Sequence, residues 1–481
     1  MNNSKEVSRR DFLRIGGIST GVAIGSTLIK PIDKARALVG GNSNGFKYRD
    51  RSKRYPWWVK TVDNPTIEVD MNSTTQFSEI NHCLAGITVQ PNTKIEDITP
   101  PNFGLPKYLG GNEWKKLLQI EQDVIKENIK KNVPGFSLRD RALLDSAFSF
   151  FTFSTLRPRK RAYEIVAEMS ANIKTPEQRG VKRWEGTEEE ASDMLEAAGK
   201  AFGAEIVSFC AVEPKWMYDH VKFSSSVNEI TINNGREEIY PERFKYVINL
   251  GKSLPLETCK RVPSNIGATG DRITMLQIQQ AGLMLENFIK SLGYEARLLS
   301  APWTPFHVSS GMGELGRINK VISPIYGANL RTWALITDIP LALDKPIDFG
   351  LQEFCKGCKV CARACPAEAI PLDDEPSWGN KEWQSTGKKA YHEDGVKCRS
   401  FWYKSGSWCA VCTVSCPWSR PIGSAMHDLS GPVGATIPRA SYLLAEMHGV
   451  FGFGTQNDSN AQSEWWKLDL PPYGYGKFEN K

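Results

Sequence analysis

Long apolar runs are missing from this chain of 481 residues. The nearest thing to one, Ile15 to Ile29, is diluted by Gly, Ser and Thr, whereas a bilayer-crossing helix needs about 20 predominantly apolar residues. A multispanning membrane protein is excluded. Low-complexity tracts are missing too: 40 Gly and 28 Pro are ordinary usage, so collagen-like and disordered classes drop out. Excess charge is small as well. Of the formal +6, residues 1–37 supply most, with seven Lys/Arg against three Asp/Glu, and only +2 remains for the rest. That balance gives no support to a nucleic-acid partner. The chain can still bury the core of roughly two to four domains.

Cysteine is scarce outside one region. Only Cys83, Cys210 and Cys259 lie elsewhere, and eight of the eleven fall between Cys355 and Cys416. Cys355-x2-Cys358-x2-Cys361-x3-Cys365-Pro366 has the bacterial ferredoxin spacing, in which three thiolates wrap one cubane and the fourth ligates the neighbouring cluster. A second half follows: Cys398, then Cys409-x2-Cys412-x3-Cys416-Pro417, with ten residues between its first two cysteines. The crossed arrangement assigns Cys355, Cys358, Cys361 and Cys416 to a first 4Fe-4S cluster, and Cys365, Cys398, Cys409 and Cys412 to a second. Disulfides or zinc ribbons are the competing chemistries for clustered cysteine, and neither explains two halves that each end in Cys-Pro. Cys83, Cys210 and Cys259 fit no motif and read as core packing.

The opening Ser8-Arg9-Arg10-Asp11-Phe12-Leu13-Arg14, the small-residue stretch after it and Ala35-Arg36-Ala37 read as a twin-arginine export signal with a small-x-small cleavage site. That route carries folded proteins whose cofactor is inserted first. The expected mature chain begins near Leu38 and is soluble or peripherally attached.

Residues 38–139 give little periodic signal, although Arg49 to Lys60 is basic and holds Trp57-Trp58. Thr187-x2-Glu190 is a capping box ahead of a helix using Ala191, Leu195, Ala198 and Phe202, stopped by Gly203. Strands are expected at Ile206 to Val212, Phe244 to Leu250, Ala296 to Leu299 and Thr332 to Ile336, with a helix from about Met275 to Leu292 ended by Gly293. Residues 140–345 therefore read as an α/β domain. Gly311-x-Gly313-Glu314-x-Gly316-Arg317 reads as a turn whose glycines permit close backbone approach rather than as a phosphate cradle.

This organisation resembles the corrinoid-dependent reductive dehalogenases of organohalide-respiring bacteria. Shorter phrases extend the likeness to the chloroethene branch: Tyr55-Pro56-Trp57-Trp58-Val59, Trp184-Glu185-Gly186-Thr187, Phe288-Ile289-x2-Leu292-Gly293-Tyr294, Gly313-Glu314-x2-Arg317, Thr337-Asp338-Ile339-Pro340-Leu341, and Phe451-Gly452-Phe453-Gly454 before Trp465-Trp466. The resemblance implies an α+β fold: a nitroreductase-like core holding a base-off cobalamin-type corrinoid, then a two-cluster ferredoxin domain. Its segments would be a signal (1–37), a covering region (38–139), the corrinoid core (140–345), the ferredoxin domain (346–425) and an extension (426–481). The implied reaction is reductive removal of halide from an organohalide, such as a chlorinated ethene. An electron donor chain would feed it, a small integral membrane protein would anchor it, and it would sit peripherally on the outer face of the cytoplasmic membrane. No Asp-x-His-x-x-Gly is present, consistent with a corrinoid lacking a histidine ligand; His220 and His307, in the core segment, read as structural.

The family's tyrosine proton donor has no match before the Phe288 helix, where Arg272 and Met275 stand, and its asparagine partner has none near Leu298 to Ala301. The associated arginine does match, at Arg331. A cation there would stabilise departing halide or lower a neighbouring acid. Arg272 offers an electrostatic clamp, Tyr246 a substitute hydroxyl, and Trp303 an apolar wall. Two other readings compete: an iron-sulfur electron-transfer subunit without corrinoid, and an epoxyqueuosine-reductase-like corrinoid enzyme. About 200 residues of core exceed what a bare carrier needs, and the export signal opposes a cytoplasmic enzyme acting on transfer RNA.

Overall fold

Four apolar segments pair into one sheet whose two faces are both covered. A computed structural model describes residues 45–51, 54–83, 94–101, 103–151, 173–218, 242–419, 425–437, 444–445 and 454–474. The export signal, His220 and Phe451 to Phe453 lie outside the described residues. Strands β1 (Ile206–Ala211), β2 (Tyr246–Ser253), β3 (Ala296–Leu298) and β4 (Leu330–Thr337) stand in the order β1-β2-β4-β3, and every pairing is antiparallel. The alternation of helix and strand in the sequence thus serves an antiparallel sheet, a mixed helix-and-sheet fold.

Helices are numbered along the chain: α1 (Gly111–Lys130), α2 (Leu138–Phe151), α3 (Glu188–Ala201), α4 (Asn265–Ser291) and α5 (Thr304–Ser309). The capping box of α3 is present in full, with Thr187 accepting from Glu190 N–H and the Glu190 carboxylate accepting from Thr187 N–H. One sheet face buries Val207, Phe209, Ile248, Leu250 and Leu335 against Leu195 of α3 and Ile278, Leu285 and Ile289 of α4. The other buries Cys210, Val247, Ala334 and Ile336 beneath Phe306 of α5. These faces follow from the two-residue strand period and the apolar stripes of the helices.

Helix α4 corrects the sequence reading. It starts at Asn265, ten residues before Met275, with the Ser264 hydroxyl accepting from Gly267 N–H at 3.3 Å. Its early turns bury polar residues, Asn265, Thr269, Asp271 and Thr274, so no apolar stripe announces them. Glycine is needed there: a Cβ on Gly267 would lie 2.5 Å from the Val262 nitrogen.

The basic stretch beginning at Arg49 becomes an ionic strap. Arg49 and Arg51 both reach Asp344 and Glu196, at 2.9–3.1 Å, and the two acids are 1% and 4% exposed. Alongside, Lys60–Thr61 pairs with Ile347–Asp348. Beyond the sheet, helices α6 (Leu351–Cys358), α7 (Val360–Arg363), α8 (Gly395–Ser405) and α9 (Val411–Val414) form the cysteine-rich module. Core and module belong to one compact unit. Among the described residues no helix is long and apolar enough to cross a membrane.

Candidate redox and halide site

The cysteine module brings the eight clustered thiols into two neighbourhoods. Lys359, in the left-handed conformation at φ 51°, turns the chain between α6 and α7. Burial first, and then the neighbouring Cys358 and Cys416, push the Cys355 thiol well up, and Cys361 is raised by burial and by Cys416, Cys355 and Cys358. In the second neighbourhood burial, with Cys412 and Cys365, pushes Cys409 up to about 12, and Cys398 is raised by burial, Glu393, Cys412 and Cys409. Cys412 additionally feels the thiol of Cys361 in the first set. Buried thiols packed this closely resist ionising together unless a cation joins them. Among the described residues, no group of three or more His, Cys, Asp or Glu converges tightly enough to hold a single metal ion.

The glycine-rich segment turns out to lock module to core. Gly313 lets the chain pass the Ile322 carbonyl, which an added Cβ would meet at 2.1 Å. Glu314, 1% exposed, accepts from Phe349 N–H at 2.7 Å and Leu351 N–H at 3.2 Å, so it anchors the start of α6. Arg317, three residues on, donates to the carbonyls of Cys355, Pro371 and Asp373 at 2.7–3.1 Å. Its glycines face protein, not a phosphate.

Burial, reinforced by Asp348, pushes Glu314 up to about 7 from its ordinary 4.5. The folded protein then holds a proton that the unfolded chain releases above about pH 4.5, so the contribution is present below that pH and is lost as pH rises through about 7. Each pKa unit corresponds to about 1.4 kcal/mol. Glu314→Gln, which cannot ionise, is expected to show a smaller fall in thermal midpoint between pH 5 and pH 8 than the native protein. Parallel pH profiles for the two would show that Glu314 does not titrate in this way.

Arg331, near the start of β4, sits where the core meets the second cysteine set. Its Nε donates to Asp271 Oδ1 on α4 in a very short contact, and its guanidinium lies 5.3 Å from the ring of Trp408, the residue before Cys409. Arg272 stacks over the same ring at 5.9 Å and approaches the other Asp271 oxygen at 3.7 Å. Burial lowers Arg272 to about 10, against the raising effect of Asp271. Asp271, fully buried, is therefore the acid between two guanidiniums. It carries no motif, and only the polar interruption of the α4 stripe could have signalled it.

Tyr246 is not brought to this site. It pairs with Thr337 while Arg331 pairs with Lys252, placing the two residues roughly 20 Å apart along the sheet at about 3.4 Å per residue. The Tyr246 ring packs edge-on against Phe46 instead. Trp303 packs edge-on against Trp333 at 5.3 Å and donates from Nε1 to the Leu299 carbonyl. Met275, on α4, packs against the core, and His307 is buried, its pKa pulled down to about 3 by burial. Cys83, Cys210 and Cys259 are buried, Cys259 in the same apolar cluster as Cys409 and Cys210 donating to the Phe306 carbonyl. A cavity of 560 Å³ opens beside the strap, lined by Arg51, Tyr55, Glu196, Lys200, Met312 and Tyr326 among others, and neither the candidate catalytic residues nor the clustered cysteines named from sequence line it.

Residues 53–244 match the family described as reductive dehalogenase subunit. The trichloroethene reductive dehalogenase of Dehalococcoides mccartyi is 25% identical over 574 residues, covering 97% of this chain and 98% of the relative. This chain is similar to reductive dehalogenases along nearly its whole length. A chloroethene reductive dehalogenase from another strain of that organism is 26% identical over 98% of both chains. The tetrachloroethene reductive dehalogenase of Sulfurospirillum multivorans is 28% identical over 59% of this chain and 60% of its own. The solved catabolic reductive dehalogenase NpRdhA shares the fold at TM-score 0.57 and 20% identity, over 88% of this chain and 53% of that one, so the chain spans about half of the solved protein. The protein is an enzyme acting on carbon-halogen bonds. The Arg331–Asp271 pair and the two thiol sets are the parts of it that its own side chains bring together.

Proposed function

We propose that this reductive dehalogenase is exported by the twin-arginine route and works peripherally on the outer face of the cytoplasmic membrane, with a small integral membrane protein as anchor. It removes halide from an organohalide, by R–X + 2e⁻ + H⁺ → R–H + X⁻. A chlorinated ethene is the substrate class favoured by the names of its relatives. One observation carries the reading: an arginine held by a buried carboxylate lies over the tryptophan that precedes Cys409, so a candidate halide-binding cation adjoins the second thiol set.

The residues fit the groups this activity requires. Cys355, Cys358, Cys361 and Cys416 would hold one 4Fe-4S cluster, and Cys365, Cys398, Cys409 and Cys412 the other, the iron supplying the positive charge that buried thiolates need. Near Trp408, among the described residues, Asp271 Oδ2 and Trp402 Nε1 are buried with no hydrogen-bond partner. Such atoms are usually completed by water or ligand, and the amide fringe of a base-off corrinoid offers both donors and acceptors. When bound, the corrinoid supplies low-potential cobalt chemistry at the carbon-halogen bond. Arg331 would present its guanidinium to the departing halide, Asp271 would fix that guanidinium's direction, and Arg272 would add a second positive charge.

A carrier with clusters alone leaves the Arg331 site without a purpose, and an epoxyqueuosine reductase relative covers only 26% of this chain. Anaerobically isolated protein is expected to contain one cobalt and about eight irons per chain, and to release halide from chlorinated ethenes with a low-potential reductant. Iron without cobalt would overturn the dehalogenase mechanism proposed here.

A further inference from the structure

Among the described residues Arg317 is the most deeply buried Lys or Arg. Its side chain is among the largest that are fully buried, with the residue 2% exposed. All of its side-chain hydrogen bonds go to neutral acceptors: Nε and Nη2 to the Cys355 carbonyl at 3.1 and 2.8 Å, and Nη1 to the Pro371 and Asp373 carbonyls at 2.7 and 2.8 Å. The guanidinium also stacks on the Tyr391 ring at 3.8 Å. Among the described residues no carboxylate accepts from it. The acid it influences, Asp374, lies at the surface and is held by Lys359. A buried charge left without a counter-charge costs several kcal/mol.

What faces it is the first thiol set. Arg317, Cys355, Cys358, Cys361, Cys416 and Trp418 line one small cavity. A cubane held by four thiolates is anionic, and it becomes more so on reduction. A fixed cation favours the reduced, more negative state.

We infer that Arg317 is the built-in counter-charge of the first cluster, raising that cluster's reduction potential while its fork fixes the loop carrying Cys355. The inference rests on the two-cluster reading above. A wild-type iron content far from about eight per chain would sink that reading itself, before any variant is compared.

The test is an EPR-monitored redox titration of anaerobically isolated Arg317→Gln and Arg317→Lys, with Cys409→Ala protein identifying the first-cluster signal. In Arg317→Gln the first-cluster midpoint is expected to move to lower potential by at least a tenfold change in oxidised-to-reduced ratio, which is 59 mV for one electron. The second-cluster midpoint should stay put, and Arg317→Lys, which keeps the charge, should recover most of the shift. An unmoved first-cluster midpoint in Arg317→Gln with full iron overturns the inference. If Arg317→Gln fails to assemble the first cluster, assembly in Arg317→Lys supports it, because charge is then the requirement. Failure in both variants overturns it, because the carbonyl clamp alone would explain the loss.

Discussion

Cys409→Ala is expected to lose about four of its eight irons and all halide-releasing turnover. Cys409 is held among Cys365, Cys398 and Cys412, all from separate turns of the module, so removing one thiolate opens a cluster whose remaining ligands are drawn together only by the iron. The loss should be selective, because the first set takes its fourth thiol from Cys416 and keeps its ligands. Cys83→Ala provides the control: Cys83 is buried beside Gly395, and its thiol is raised to about 12 by burial and by Asp394 and Glu393. That variant should keep about eight irons and native turnover. Full iron in Cys409→Ala would place the second cluster's ligands elsewhere.

Arg331→Leu should slow turnover by roughly 10²–10³, or about 2.7–4 kcal/mol, the size of effect expected when a preorganised charge is removed from a reacting centre. Both clusters should retain their EPR signals. A second consequence follows from Asp271, which is fully buried: without Arg331 its carboxylate keeps only the more distant Arg272 contact, and stranding a buried charge costs about 3–5 kcal/mol of stability. Adding Asp271→Asn to Arg331→Leu removes that charge, so the double variant should regain thermal stability without regaining turnover. Turnover within threefold of native in Arg331→Leu would take the arginine out of the halide site. Equal instability of single and double variants would show that a stranded Asp271 carboxylate is not what destabilises Arg331→Leu.

Much of this site was legible in the sequence because its chemistry is local. The first cysteine run declares itself within eleven residues and the second within nineteen, and the capping box of α3 and the strand at Ile206–Ala211 are likewise short-range patterns. What escaped depends on distance along the chain. Asp271 meets Arg331 across 60 residues, on a helical turn whose buried residues are polar and therefore silent to periodicity. Glu314 and Arg317 show in sequence only within a glycine-rich turn, since their partners lie 35 to 56 residues downstream. Tyr246 was a candidate only while the strand register was unknown; six residues of pairing separate it from Arg331.

The arginine strap has a bearing on biosynthesis. Arg49 finds Asp344 only after 295 further residues have been made, about 15–60 s at 5–20 residues per second. Until then Arg49, Arg51 and Arg54 have emerged without the acid that joins two of them, and the Lys60–Thr61 edge lacks the strand it pairs with. Closure of this segment must therefore trail completion of the sheet, since Asp344 follows the last strand, β4, in the chain. The strap then works as a completion mark: tryptic cleavage at these arginines in a pulse-labelled chain should fade only as residues beyond Asp344 emerge, making protection at Arg49 and Arg51 a clock for when the core has closed.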